Sequence, residues 1–141
     1  MIDTYSAALA FIHGRTQFKK APTLSRMRQF LHELGDPQLK VAGIHVAGTN
    51  GKGSTVANLR ELFMADGLTV GTFTSPFIVR FNERISVDGT PISDEELVGL
   101  VQQIQPIVAK LDATLASGGP TEFEIITAMT VSYTHLTLPT T

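Results

Sequence analysis

The 141-residue sequence contains no cysteine. That excludes a disulfide scaffold, a cysteine nucleophile and a thiolate zinc site, and it fits a reducing compartment. No excess of either charge is present: eleven Lys and Arg face thirteen Asp and Glu, for a net charge of −2. No basic stripe or arginine-rich run occurs, so nucleic acid is not an expected partner. No apolar stretch approaches membrane-spanning length, and Met1-Ile2-Asp3 puts an acid where a secretory leader needs a basic region. The expectations are no membrane partner, a cytoplasmic location and a monomer. Internal repeats and low-complexity segments are also absent. What is there is a globular composition, 43% hydrophobic and 17% charged, in a chain long enough for one domain with its own core.

Apolar residues at helical spacing predict helices over Thr4–His13, stopped by Gly14, and over Thr23–Leu34, stopped by Gly35. Arg15–Pro22 between them reads as loop. Val41–Ala47 is a short apolar run with β-branched residues, the pattern of a strand buried on both faces. A glycine-rich turn follows, then a helix from Ser54 to Gly67 and a second strand over Leu68–Thr74. Strand, loop, helix and strand make a βαβ unit, so the expected class is α/β with a parallel sheet and flanking helices. Farther on, Arg84–Val87 reads as a strand entering a tight turn at Asp88-Gly89. Ser93 with Glu96, and Thr121 with Glu124, are capping boxes; they open helices reaching Leu111 and covering Phe123–Thr130.

The segment that carries chemistry is Gly48-Thr49-Asn50-Gly51-Lys52-Gly53-Ser54. Phosphate oxygens need several converging N–H donors, and a glycine-rich turn lets backbone approach them without side-chain clash. The helix that follows adds a dipole favourable to anions. Lys52 offers a point charge to the outer phosphates, and the hydroxyl of Ser54 or Thr55 can face Mg²⁺. The usual phosphate-loop pattern needs glycine at position 46 and Ser or Thr at 53, where Val46 and Gly53 stand. The spelling is therefore a variant. A tight strand-to-helix turn accounts for one or two glycines, but not for a lysine flanked by them at a helix start.

GTNGKGS, with Thr74-Ser75-Pro76 closing the next strand, resembles the Mur-ligase-like ATP-dependent amide ligases. Within them the chain is most similar to the folylpolyglutamate and dihydrofolate synthases. The similarity runs from about Met1 to Thr130, through the helix with Tyr5 and Ile12-His13, TSPFIVRFNERI (Thr74–Ile85) and TEFEIITAM (Thr121–Met129). Muramyl ligases carry a separate UDP-binding domain before the loop; here only two helices precede Val41.

The resemblance implies a truncated Mur-ligase-like ATPase domain and ATP-dependent amide formation, with ATP and Mg²⁺ as cofactors. A pteroate or folate carboxylate is phosphorylated to an acyl phosphate, and the amine of L-glutamate displaces phosphate. It implies that Thr49, Asn50, Gly51, Lys52, Gly53 and Ser54 bind ATP, with Lys52 catalytic. It also implies Ser75 as a metal ligand, and Thr121, Glu122, Phe123 and Glu124 as the lining of the substrate pocket.

Each assignment has a plainer reading. Ser75 before Pro76 can end a strand, Thr121 and Glu124 can serve only as a cap, and Phe123 can be core. Arg80, Asn82, Glu83 and Arg84 form a polar cluster that either binds anions or is a solvated loop. His13, His32, His45 and His135 lack metal-ligand spacing, and His45 reads as a core residue. The alternatives to a ligase are a non-catalytic ATP-binding α/β module and a plain structural domain. The parent family is about three times this length. Val131–Thr141 breaks its pattern, alternates like an unpaired strand, and resembles the tails of truncated sequences that run into foreign bases. A partial ATP-binding domain over 1–130 and a non-native or disordered tail over 131–141 are the expectation.

Overall fold

The structure, a computed structural model, describes residues 2–15, 24–75, 79–116 and 118–137. Five α-helices account for most of it: α1 (Tyr5–His13), α2 (Leu24–Glu33), α3 (Lys52–Ala65), α4 (Asp94–Thr114) and α5 (Glu122–Thr137). Three short strands, β1 (Gly71–Phe73), β2 (Ile85–Val87) and β3 (Thr90–Pro91), form one antiparallel sheet in the order β1-β2-β3.

Helix starts follow local chemistry. The Thr4 hydroxyl accepts the Ala7 N–H ahead of α1. Ser93 and Glu96 exchange backbone hydrogen bonds at the head of α4. Thr121 and Glu124 do the same for α5. Between β2 and β3, Asp88 and Gly89 both take positive φ, 52° and 81°, the mirror-type turn that suits a two-residue hairpin.

Helix α4 is the spine. Leu97, Leu100, Val101, Ile104, Val108 and Leu111 are buried along one face. Against it pack Ala8 and Ile12 of α1, Phe30 of α2, Ile85 of β2, and Ile125, Ile126 and Met129 of α5. Each such side chain fully removed from water contributes about 1.5–3 kcal/mol before entropy is charged.

The α/β class expected from the sequence holds, as helices packed with a small sheet. The strand pairing is different. Val41–Ala47 forms no strand among the described residues, and β1 pairs antiparallel with β2 instead. A buried parallel strand needs a neighbour to satisfy its N–H and C=O groups, and none lies beside this run among the described residues. Ile44 is accordingly 64% exposed, His45 is exposed rather than core, and α3 buries no side chain.

The expectation that the helix ends at Thr130 and an unpaired strand follows is also corrected. Helix α5 runs on to Thr137, and Ser132 is buried. The hydroxyls of Thr130, Thr134 and Thr137 donate to the carbonyls of Ile126, Thr130 and Tyr133, so these residues are satisfied inside the helix and need no strand partner. Thr134 lies so close to β1 that a Cβ on Gly71 would collide with it. Residues 138–141, Thr23 and most of the Arg15–Pro22 loop lie outside the described residues.

Candidate functional site

The glycine-rich turn stands at the head of α3. Gly51 is the residue before the helix, with φ 76° and ψ 7°, a left-handed conformation that side chains with a Cβ resist. It offers no side-chain cap, so no side chain closes off the first-turn N–H groups of α3. The Thr55 N–H and hydroxyl both donate to the Gly51 carbonyl, at 3.0 and 2.9 Å, which fixes the turn to the helix. Gly48 to Ser54 are all exposed. No acidic residue occupies the first turn of α3, and no ion pair engages Lys52 among the described residues. Uncapped donors and a helix dipole meet at an exposed turn that also carries Lys52, a combination that favours an anion there.

A second cluster forms around Arg84. Its Nε donates to the Thr74 carbonyl at 3.3 Å. Its guanidinium carbon lies 5.5 Å from the centre of the Phe73 ring and 5.7 Å from that of Phe81. Phe73 in turn meets Phe123 at 5.8 Å. Arg84, Glu122, Phe123 and Ile126 line a shallow cavity of about 210 Å³. Burial lowers the Arg84 pKa, and the Glu122 charge offsets part of that. Phe123 is 61% exposed, which sets aside its plainer reading as a core residue.

The expected site residues separate into two kinds. Glu122 and Phe123 face the cavity. Ser75 is exposed, one residue beyond the carbonyl that Arg84 holds. Thr121 and Glu124 are occupied in the cap of α5, and both Glu124 oxygens accept from Arg26, at 2.9 and 3.2 Å. Arg26 is only 4% exposed, so this pair is a structural anchor between α2 and α5.

Most of the 80–84 polar cluster is structural as well. Arg80 pairs with Asp94 at 2.7 Å and lies over the Tyr5 ring. That hydrogen bond to Asp94 raises the Arg80 pKa. Buried Asn82 accepts from the Tyr5 hydroxyl and donates to the Ile92 carbonyl and to Asp94. Only Arg84 of this group reaches the cavity.

Two residues were given no role in the sequence reading. Arg26 stands on the inward face of α2 four residues before Phe30, and a charge there requires a buried counter-charge. His13 reaches Glu122, 2.8 Å away, and sets its ring edge against Phe81. For a divalent cation, no group of three His, Asp or Glu side chains comes together among the described residues. The hydroxyls of Ser54, Thr55 and Ser75 are the available oxygen donors near the turn and the end of β1. They fit an ion that takes most of its ligands from phosphate and water. No helix among the described residues is long and apolar enough to cross a membrane.

No protein-family model matches the chain. The dihydrofolate synthase/folylpolyglutamate synthase of Bacillus subtilis is 55% identical over 133 residues, which cover 94% of this chain and 31% of that protein. A solved complex of folylpolyglutamate synthase with AMPPCP and folate is 43% identical with a TM-score of 0.83, over 93% of this chain and 32% of the other. The Mycobacterium tuberculosis folylpolyglutamate synthase with ADP is 33% identical with a TM-score of 0.85, over 95% of this chain and 30% of that one. The chain thus spans about a third of the length of the relatives it matches. Over nearly all of its own length it is a homologue of the folylpolyglutamate and dihydrofolate synthases.

Proposed function

We propose that this chain supplies the nucleotide-gripping part of an ATP-dependent ligase that joins L-glutamate to folate or dihydropteroate. The observation that carries the reading is the head of α3: an exposed turn with Gly51 in the left-handed region, no side-chain cap, and Lys52 without an ion-pair partner among the described residues. The similarity to folylpolyglutamate synthases solved with AMPPCP, folate and ADP supports it. Residues 1–130 are assigned to this unit, and 131–141 are taken as a foreign extension whose first part the end of α5 accommodates.

In this reading the N–H groups of 49–54 hold the phosphates, and the Lys52 ammonium neutralises charge on the γ-phosphoryl group. The hydroxyls of Ser75 and of Ser54 or Thr55 hold Mg²⁺, which when bound screens the phosphate oxygens from the attacking carboxylate. The substrate carboxylate displaces ADP at the γ-phosphorus, giving an acyl phosphate. The glutamate amine then adds to the acyl carbon, and the tetrahedral intermediate expels inorganic phosphate. Glu122 and Phe123 line the substrate side. Thr121 and Glu124 act one step back, by fixing the start of α5.

The test is oxygen transfer in a protein extended to the length of its relatives. With ¹⁸O in the folate carboxylates, one labelled oxygen appears in inorganic phosphate per amide formed. Amide formation with no label in phosphate contradicts the acyl-phosphate route.

A further inference from the structure

Arg84 is half-buried, yet no ion pair engages it among the described residues. A guanidinium presents its N–H donors as a planar fork. The Arg84 Nε spends its donor on the Thr74 carbonyl, 3.3 Å away, and its Nη nitrogens meet no acceptor among the described residues. The group lies over the rings of Phe73 and Phe81, its central carbon 5.5 and 5.7 Å from their centres. Those contacts and the Thr74 bond fix the plane of the fork and leave the Nη edge unsatisfied. A cation partly removed from water without a counter-charge is costly, and an arriving anion relieves that cost.

The neighbouring Phe123 is an apolar ring open to solvent, 5.8 Å from Phe73 between centres. Arg84 and Phe123 line the same cavity, and Ile126 adds a further apolar wall. Its volume of about 210 Å³ is below the roughly 300–1,000 Å³ of sites that enclose a whole drug-sized ligand, so it takes one ring and the group attached to it. Glu122, the other charged residue of the lining, is engaged by His13 at 2.8 Å. Its charge opposes an anion in the cavity, so an anion is held there only by direct pairing with Arg84.

We infer that Arg84 is the carboxylate-binding residue of this cavity, its Nη groups receiving the carboxylate of an aromatic acid whose ring lies against Phe123. A planar fork pairs with a planar carboxylate through parallel N–H···O bonds, and an aryl acid holds ring and carboxylate rigidly together. Only the identity of that acid rests on the proposed function: it is the benzoate end of a pteroate-type substrate.

Pteroic acid and its primary carboxamide share every ring and differ at neutral pH in the charge of one group. Equilibrium dialysis of the chain as it is should give the acid a Kd about tenfold or more below that of the amide, the scale of hydrogen bonds to a charged partner. Arg84→Gln is expected to bring the acid within about twofold of the amide, with the amide itself within about twofold of its parental Kd. Arg84→Lys keeps the charge and loses the fork, so a preference of only about two- to threefold remains. Phe123→Ala weakens both ligands together and preserves their ratio. Equal Kd for acid and amide in the parent overturns the inference and leaves the ligase reading standing, as does an acid preference that survives in Arg84→Gln. Equal weakening of both ligands by Arg84→Gln reduces Arg84 to a packing role and also overturns it. If Arg84→Gln fails to fold, Arg84→Lys decides: a parental acid-to-amide ratio in that variant overturns the inference. A parent that binds Mg·ATP but neither pteroyl ligand overturns the substrate side of the reading, and the inference with it.

Discussion

Glu124 joins two networks that hold the start of α5. It caps the helix with Thr121, and it receives both hydrogen bonds from Arg26. Removing Arg26 leaves a mostly buried carboxylate without its counter-charge, and the cost of breaking a buried pair this way is about 3–5 kcal/mol. Arg26→Ala should therefore lower the unfolding free energy by about that amount, while a loss under about 1 kcal/mol would place the pair among solvent-screened ones. Asn82 is the second such residue. Asn82→Ala strands the buried Ile92 carbonyl, at about 1–3 kcal/mol, and leaves the half-buried Tyr5 hydroxyl without its acceptor. Asn82→Asp is expected to be worse, because it cannot donate to Ile92 and adds a charge beside Asp94. Chemical denaturation of the two variants reads the order directly, and a milder Asp variant would contradict the hydrogen-bond assignment. Neither the Arg26–Glu124 pair nor the Tyr5–Asn82 hydrogen bond was visible in the sequence. Each joins residues far apart in the chain, 98 positions for Arg26 and Glu124 and 77 for Tyr5 and Asn82, and local pattern carries no information about such partners.

At the scale of elements, the features set by neighbouring residues were legible. The capping boxes and the Asp88-Gly89 turn each depend on side chains within a few positions, and each stands as read. The strand over 41–47 was not decidable this way, because an apolar run signals burial without saying what lies beside it. The end of α5 misled for another reason: its threonines look like strand residues, yet each hydroxyl finds a carbonyl one turn back. Hydrogen exchange should therefore show amide protection through about residue 135, with only the final turn frayed. Loss of protection immediately after Thr130 would restore the view of an unpacked tail. Gly71→Ala should shorten that protected stretch, since its methyl group displaces Thr134 from β1.

Tyr133 reports on the same packing. Burial and its hydrogen bond to Glu96 push the phenol up to about 12 from an ordinary value of 10.0. Burial pushes the Glu96 carboxyl upward, but the Ser93 and Tyr133 hydrogen bonds outweigh it, and its pKa falls below the ordinary value. Since the folded phenol keeps its proton longer than the unfolded one, the contribution of Tyr133 is intact below pH 10 and is lost as pH rises toward 12. In a Tyr5→Phe background, the phenolate absorbance of the native chain should rise near pH 12 rather than 10. Titration near 10 would detach Tyr133 from Glu96.

For the whole molecule, the structure separates the residues that form the core from the turn proposed to bind an anion. The core gathers on α4, and the capped, ion-paired start of α5 presents Glu122 and Phe123 beside Arg84. The turn at 48–54 and α3 contribute no buried side chain, so their substitution leaves the core intact. This division explains why the turn proposed to bind phosphate was legible in sequence: its chemistry lies in contiguous residues, and it is spelled out by Gly51, Lys52 and Gly53 alone. The cavity was legible only in half, through Glu122 and Phe123, since Arg84 reaches it by folding. The account's central claim is that the head of α3 is an anion receptor for nucleotide phosphate. The measurement that tests it most directly is a Mg·ATP titration of the chain, followed by the backbone amide resonances of 49–55, with Lys52→Ala in parallel. The account predicts saturable shifts concentrated at Gly51, Lys52, Gly53 and Ser54, and binding weakened at least about tenfold in Lys52→Ala with an unchanged melting temperature. Absence of saturation at millimolar nucleotide, or equal affinity in the variant, would contradict it.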